Sequence, residues 1–286
     1  MGKVATMTVW NVQLGLAVHV KSPNNKYIII DLGTGTRESG NGSPLSKRIR
    51  DNIAYMILTH PHLDHIDDIL CFDYNAPKVL QRVDALTNRE VMSGVRVCDK
   101  TKFEKYCDIN DRYNKPISLD DENSPSSPNN YGGLEILTFS TTKCDHSNFN
   151  NFSIITVFTL SRIKIVVCGD NEKESFNYLM QQDDFKDAIK NADVLIAPHH
   201  GRESGFHSEF VNTVNPRLTI ISDTNKIAAS ASDKYTQKSR GWTVYNSNGS
   251  SQERKCLTTR NDGNIRIEFG ENDYPNHSRF LHVELI

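Results

Sequence analysis

Six consecutive residues, His60-Pro61-His62-Leu63-Asp64-His65, restrict this chain more than anything else in its sequence. They follow an apolar run, 54–59, that is too short for a helix and bounded by polar residues, so the cluster sits where a strand ends. Side chains two apart in extended backbone point the same way. His60 and His62 can therefore converge on one ion, and Pro61 keeps their backbone from turning helical. The stretch 66–70 is expected to start a helix, which sets Asp64 and His65 near its N-terminus and within reach of a second ion; paired ions in hydrolases lie about 3.5–4 Å apart. One histidine alone would read as a hydrogen-bonded loop residue. Three histidines and an aspartate within six residues read as metal ligands. Imidazole and carboxylate without thiolate suit Zn, Mn, Fe or related ions in a centre with open positions, rather than a closed structural zinc site.

Around this cluster, the 286 residues are enough to bury a substantial core. Strands are expected at 4–12, 16–21 and 27–32, the last two joined by Pro23, Asn24 and Asn25 as a β-hairpin. Further strands are expected at 134–139, 153–160, 163–168, 194–197, 218–222, 242–246, 256–260 and 265–269, with Asn261-Asp262-Gly263-Asn264 as a hairpin turn between the last two. Helical spacing of Phe176, Leu179, Met180, Phe185 and Ile189 predicts a helix over 172–190. No internal repeat is visible. Two strand-rich halves separated by helices imply a single α/β domain over 1–286, an αββα sandwich of two mixed β-sheets flanked by helices. Residues 99–133 are polar and rich in Asn, Asp, Ser and Pro, and read as a surface insertion, either a floppy loop or a lid over the site.

Composition excludes several classes. With 33 basic against 35 acidic residues the net charge is -2, which gives no overall electrostatic footprint for a long polyanion. The six cysteines form no CxxC pair, so neither a zinc ribbon nor a thioredoxin-like motif is indicated, and they are expected as reduced thiols. No apolar stretch approaches the roughly 20 residues that span a bilayer, and the start lacks the basic-then-apolar pattern of a signal peptide. A soluble, cytoplasmic protein without a membrane partner is expected.

His60-x-His62-x-Asp64-His65 resembles the HxHxDH signature of the metallo-β-lactamase superfamily, and most of the chain can be laid along that fold. Asp31, in Tyr27-Ile28-Ile29-Ile30-Asp31-Leu32-Gly33, resembles the aspartate that orients the metal loop from behind the ligands. Asp170, in Val166-Val167-Cys168-Gly169-Asp170, resembles the carboxylate that bridges the two metals. His146, before the strand at 153–160, stands where the family places the third histidine of the first metal. Pro198-His199-His200-Gly201 resembles the PHHG segment of the competence-protein (ComEC) type, associated with DNA uptake. The order Asn150-Asn151-Phe152-Ser153, Cys168-Gly169-Asp170 and Ile220-Ile221-Ser222 points to the same subgroup. Two departures stand out. Asn11-Val12-Gln13-Leu14-Gly15-Leu16 lacks the acidic feature of the competence-type opening strand, and 223–235 lacks the histidine those domains carry beyond the Ile-Ile-Ser strand. The last ligand of the second metal is therefore His200 or His199, and the sequence does not choose.

The resemblance implies a metal-dependent hydrolase that holds two divalent ions, Zn or Mn, through His60, His62, Asp64, His65, His146, Asp170 and His200. Catalysis would use a two-metal-activated hydroxide held by Asp64 or Asp170. The His199/His200 pair, with an ordinary pKa near 6.5, would supply the leaving-group proton. The leading expectation is a phosphodiesterase or nuclease acting on nucleic acid or a nucleotide, with Lys226 and Lys234 as phosphate contacts. The same metals could serve hydrolysis of a lactone, β-lactam or thioester, although the missing signal peptide argues against a secreted antibiotic-degrading enzyme. A third reading is a non-catalytic metal-stabilised module of a DNA-handling or phage-defence complex, with partner proteins from such a bacterial system. Fold alone does not decide between them.

Overall fold

The apolar runs of the sequence become strands whose burial pattern shows which face each presents. In chain order they are β1 (Lys3–Val9), β2 (Val18–Lys21), β3 (Tyr27–Ile30), β4 (Ile53–Ile57), β5 (Val79–Gln81), β6 (Glu135–Phe139), β7 (Ile155–Leu160), β8 (Ile163–Val167), β9 (Val194–Ile196), β10 (Leu218–Ile221), β11 (Trp242–Asn246), β12 (Ser251–Arg254), β13 (Cys256–Thr258), β14 (Ile265–Glu271) and β15 (Arg279–Leu285). This computed structural model describes residues 2–34, 53–224, 230–273 and 278–286. Among the described residues the strands form two sheets, β12-β11-β15-β14-β1-β2-β3-β4-β5 and β13-β10-β9-β8-β7-β6. Both are mixed. In the first, β3, β4 and β5 run parallel; in the second, β8, β9, β10 and β13 do. With helices outside, this is the expected αββα sandwich.

Period-two alternation explains how the second sheet buries both faces. Ile163, Ile165 and Val167 of β8 enter the core cluster between the sheets, whereas Val166 and the following Cys168 enter a second cluster with Phe176, Leu179, Phe185 and Phe210 from the covering helices. Leu195 of β9 likewise faces the helices while Val194 and Ile196 face the first sheet. Fully burying each such side chain contributes about 1.5–3 kcal/mol, so these central strands anchor whatever is built at their ends. The antiparallel half of the first sheet differs. In β14, Ile265, Ile267 and Phe269 are buried while Arg266 and Glu268 are partly exposed, so only one face meets the core.

Several elements depart from the sequence reading. β5, β12 and β15 were not anticipated, because β5 has three residues and β12 and β15 carry many polar or charged side chains. The expected hairpin across Asn261-Asp262-Gly263-Asn264 does not form: β13 lies in one sheet and β14 in the other. The connection is a short helix, Thr259–Asp262, that carries the chain between layers. The helix expected over 172–190 is two, Lys173–Leu179 and Asp183–Ile189. Within 99–133, read as a polar insertion or lid, Lys100–Arg112 is helical and buries Tyr106, Ile109 and Asn110. Its remaining faces are charged and hid the helical period. Among the described residues no helix is long and apolar enough to cross a membrane.

Parallel strands all end on the same side, and ligands of open α/β sheets gather there. Asp31 follows β3, His60 follows β4, Asp170 follows β8, His199 and His200 follow β9, and Ser222 follows β10. A hydrogen bond from the Ile154 amide to the Thr59 carbonyl, 3.1 Å, ties the two sheets together at this end. Gly15 lets a third segment close over it. Its φ is +122°, and a β-carbon there would stand 2.2 Å from the carbonyl oxygen of Asp64. Gly94 also has positive φ, +77°, but faces open space. Gly94→Ala should therefore cost only the backbone strain, about 1–2 kcal/mol, whereas Gly15→Ala should also displace the Asp64 loop. Thermal unfolding of the two variants checks this: a clearly larger fall in Tm is expected for Gly15→Ala, and equal falls would contradict it.

Candidate metal centre

The centre is built from the loops at those strand ends. After β4 the chain stays extended through Pro61 and then makes one turn of helix, Leu63–Ile66, earlier than the helix expected at 66–70. His65 and Ile66 amides donate to the His62 carbonyl at 3.0 and 3.1 Å. This turn brings the His65 ring beside that of His60, 4.2 Å between centroids. Asp31, fully buried, anchors the loop from behind. Its Oδ1 accepts from the Thr59 amide at 2.7 Å, and its Oδ2 lies 2.6 Å from both the Thr59 hydroxyl and His65 Nδ1.

Asp170 is presented from the opposite sheet. Gly169, with φ +56°, makes the turn, and its missing β-carbon leaves room for Ser153 and Thr59, whose Cβ atoms would be 2.9 and 3.0 Å away. The Asp170 amide donates to Ser153 Oγ at 3.0 Å. Asn171 Nδ2 donates to the Ser153 and Cys168 carbonyls, both at 2.8 Å. From β9, His199 and His200 both adopt left-handed backbone, φ 47° and 52°. Strain of this kind persists where surrounding structure enforces it. Here the His199 amide donates to the Gly169 carbonyl at 3.0 Å, locking the two turns together.

These turns bring a ring of nitrogens to the Asp170 carboxylate. His65 Nε2 is 3.1 Å from Oδ1 and His200 Nε2 is 3.3 Å from Oδ2. His60 Nε2 and His199 Nε2 approach the same Oδ2 at 3.9 and 4.0 Å. His200 Nε2 also lies 3.3 Å from Asp64 Oδ2 and 3.4 Å from His65 Nε2. Donor atoms of Asp64, His65, Asp170 and His200 all lie within 4.8 Å of one another, a group able to hold a metal ion. His62 sits beside them, its ring centroid 4.6 Å from that of His60.

The hydrogen bonds behind the rings decide what the front can do. His65 Nδ1 faces the Asp31 carboxylate, His200 Nδ1 faces the Ser222 carbonyl at 2.9 Å, and His199 Nδ1 faces Glu172 Oε1 at 2.8 Å. All three partners are pure acceptors, so each Nδ1 carries the hydrogen. In the neutral rings every Nε2 is then a lone pair aimed at Asp170, and those of His65 and His200 face each other. His60 Nε2 is buried and has no hydrogen-bond partner. Lone pairs and carboxylates converging without a donor are stable only around positive charge. A divalent cation supplies it, and the donor set fits one.

The electrostatics agree. Burial opposes ionisation of Asp170, yet the fields and hydrogen bonds of His200 and His65 outweigh it and hold the carboxyl well below its usual range. Burial lowers the His200 and His65 rings, but the neighbouring carboxylates more than reverse it, taking His200 up to about 9 and His65 well above its ordinary value. This side of the centre favours positive charge. His60 and His62 are pushed down instead, chiefly by burial, and remain neutral ligand-ready rings. Glu172 is held down at about 2 by the hydrogen bond from His199, against burial and with help from Asn150 and Asn148.

The structure thus brings His60, His62, Asp64, His65, Asp170, His199 and His200 together, with Asp31 behind them. It places His146 elsewhere. That ring is half exposed, pairs with Glu90 at 2.7 Å and packs on Phe152, because the 145–149 segment runs toward the helix Asn88–Met92 rather than toward Asp170. The further histidine that approaches Asp170 Oδ2, at about the same distance as His60, is His199. Lys234, expected at substrate, pairs with Glu203 at 2.5 Å; Lys226 lies outside the described residues. Asp223, next to Ser222, faces Arg260 at 3.4 Å. Glu172 and Ser204, which set the His199 ring, carried no sequence signal, since a Glu at the start of a helix is ordinary.

No family model and no curated protein matches this sequence. In three dimensions the chain is similar to solved structures at low identity. One is the metallo-β-lactamase fold protein YhfI from Bacillus subtilis, 14% identical, covering 79% of this chain and 88% of that one, with a TM-score of 0.45. Another is a diphosphatase from the PhnP family, 13% identical, covering 94% and 99%, with a TM-score of 0.45. A third is yeast PDE1, 12% identical, covering 80% and 90%, with a TM-score of 0.41. None of these likenesses singles out the competence-protein type.

Asp31→Asn removes the charged acceptor behind His65 while keeping its shape. Isothermal titration with Mn or Zn should show divalent-ion affinity lowered about 10–100-fold; unchanged affinity would mean that Asp31 does not orient the ligand.

Proposed function

We propose that this chain is a metal-dependent hydrolase of the metallo-β-lactamase superfamily, and that its substrate is a phosphodiester. The observation that carries the reading is the acceptor-only convergence on Asp170, with buried rings turned toward one carboxylate from two sides. His60, His62 and His199 would hold one divalent ion, Asp64, His65 and His200 a second, and Asp170 would serve both. Zn and Mn suit such a set. When bound, the ions would act as Lewis acids, lowering the pKa of a water and neutralising charge on a phosphoryl oxygen.

The remaining work falls to the chain itself. Asp31, Glu172 and the Ser222 carbonyl fix the ligand tautomers. Asp64, whose side chain is 27% exposed, is placed to orient an attacking water. A centre with two donor groups flanking a shared carboxylate suits in-line displacement at phosphorus, where attacking and leaving oxygens both need stabilising. A nucleotide-sized diester is favoured over a long nucleic acid, because the net charge is -2 and Lys234 is engaged by Glu203.

Turnover of bis-p-nitrophenyl phosphate, a dinucleotide and single-stranded DNA with Mn or Zn tests this. Metal-dependent hydrolysis is expected, falling by at least about 10²-fold in Asp64→Ala and Asp170→Asn. No diester turnover above the Asp64→Ala background, or turnover confined to a lactone or thioester, would overturn the phosphodiesterase assignment.

A further inference from the structure

We propose that His146, oriented by Glu90, donates the proton that the leaving oxygen takes up when the diester is cleaved. This deepens the phosphodiesterase reading and rests on it.

The geometry is that of a carboxylate–histidine dyad beside the centre rather than within it. His146 Nδ1 lies 2.7 Å from Glu90 Oε1. The other carboxylate oxygen, Oε2, accepts from the Thr87 amide at 2.8 Å and the Thr87 hydroxyl at 2.6 Å. Glu90 is thus fixed through both oxygens, as the third residue of the capping box that starts the helix Asn88–Met92. The imidazole is held on its other side by the edge of Phe152, 4.9 Å between centroids. Phe152 is fully buried and directly precedes the Ser153 that anchors Asp170. Because the carboxylate only accepts, Nδ1 carries a hydrogen and Nε2 is the atom left to act. His146 and His62 line one cleft of about 400 Å³, together with Ser93, Asn148 and Phe149. The cleft therefore borders the His60/His62 side of the centre.

A surface ion pair would need none of this. A long side chain paired with a loop histidine usually gains little and is left free to move, whereas both partners here are clamped by a cap and an aromatic ring. In the step proposed, the water oxygen bonds to phosphorus and releases one proton to solvent as the bond from phosphorus to the leaving oxygen breaks. That oxygen takes the proton from Nε2 of the His146 imidazolium, whose Nδ1 is held by Glu90. The ring, half exposed, recovers a proton from solvent. Glu90 is a positioning residue that acts through His146.

Leaving-group dependence reads this role directly. A p-nitrophenolate leaves without help, whereas the alkoxide of a dinucleoside monophosphate needs a proton. His146→Gln should slow the dinucleotide more than bis-p-nitrophenyl phosphate, by a ratio of about 10² in kcat. Glu90→Gln should show the same bias in smaller measure, and bound metal should stay at the wild-type level in both. Equal losses on the two esters, no loss on either, or a lost metal ion in His146→Gln would each overturn the proposal, the last by making His146 a ligand. If the wild-type protein cleaves neither ester, it is the phosphodiesterase reading that fails, and this proposal falls with it.

Discussion

Asp170 is a buried anion surrounded by ring nitrogens that, in their neutral form, have nothing to donate to it. Hydrogen bonds behind His65, His199 and His200 commit each Nδ1 to an acceptor and turn each Nε2 inward. The pairing of His65 Nε2 with His200 Nε2 at 3.4 Å makes the consequence plain. Two lone pairs at that distance, with the Asp64 and Asp170 carboxylates beside them, require a cation. Asp31, Glu172 and the Ser222 carbonyl supply those acceptors, and Thr59 and Ser153 hold the loops in place.

The fold meets that requirement through strand direction. Parallel β3 and β4 in one sheet, and parallel β8, β9 and β10 in the other, end on the same side. Their loops therefore meet across the sandwich without any strand turning back. The anchors are as deeply buried as the ligands: Asp31, Thr59 and Ser153 have no measurable exposure. Removing water from around them strengthens each hydrogen bond and also makes each expensive to lose. Left-handed backbone at His199 and His200 is tolerated because the His199 amide and the Ser222 carbonyl bind the two residues to neighbouring strand ends.

Much of this was legible in the sequence where local spacing and burial act together. The apolar runs of β4 and β9 are continuous because both their faces are covered, and the His60–His65 cluster marks its own strand end. Asp31 and Asp170 each follow a strand, and it was the resemblance to the metallo-β-lactamase superfamily that singled them out. What was not legible depends on contacts distant in sequence. Nothing near His146 announces that it turns toward Glu90, 56 residues away, and nothing near His199 announces Glu172 as its partner. The Asn-Asp-Gly-Asn segment at 261–264 has the composition of a hairpin turn, but β13 pairs with β10 and β14 with β1, so tertiary pairing overrides local turn chemistry. The helix Lys100–Arg112 went unseen for a related reason. Its buried side is narrow, and its charges pair with Asp67 and Asp73 on a neighbouring segment.

The central claim is that one carboxylate, Asp170, serves two ligand groups. Anomalous diffraction from crystals grown with Mn or Zn tests it most directly. Two peaks are predicted, one among Asp64, His65 and His200 and one among His60, His62 and His199, both in contact with Asp170. A single peak, or an ion ligated by His146 in place of His199, would contradict it.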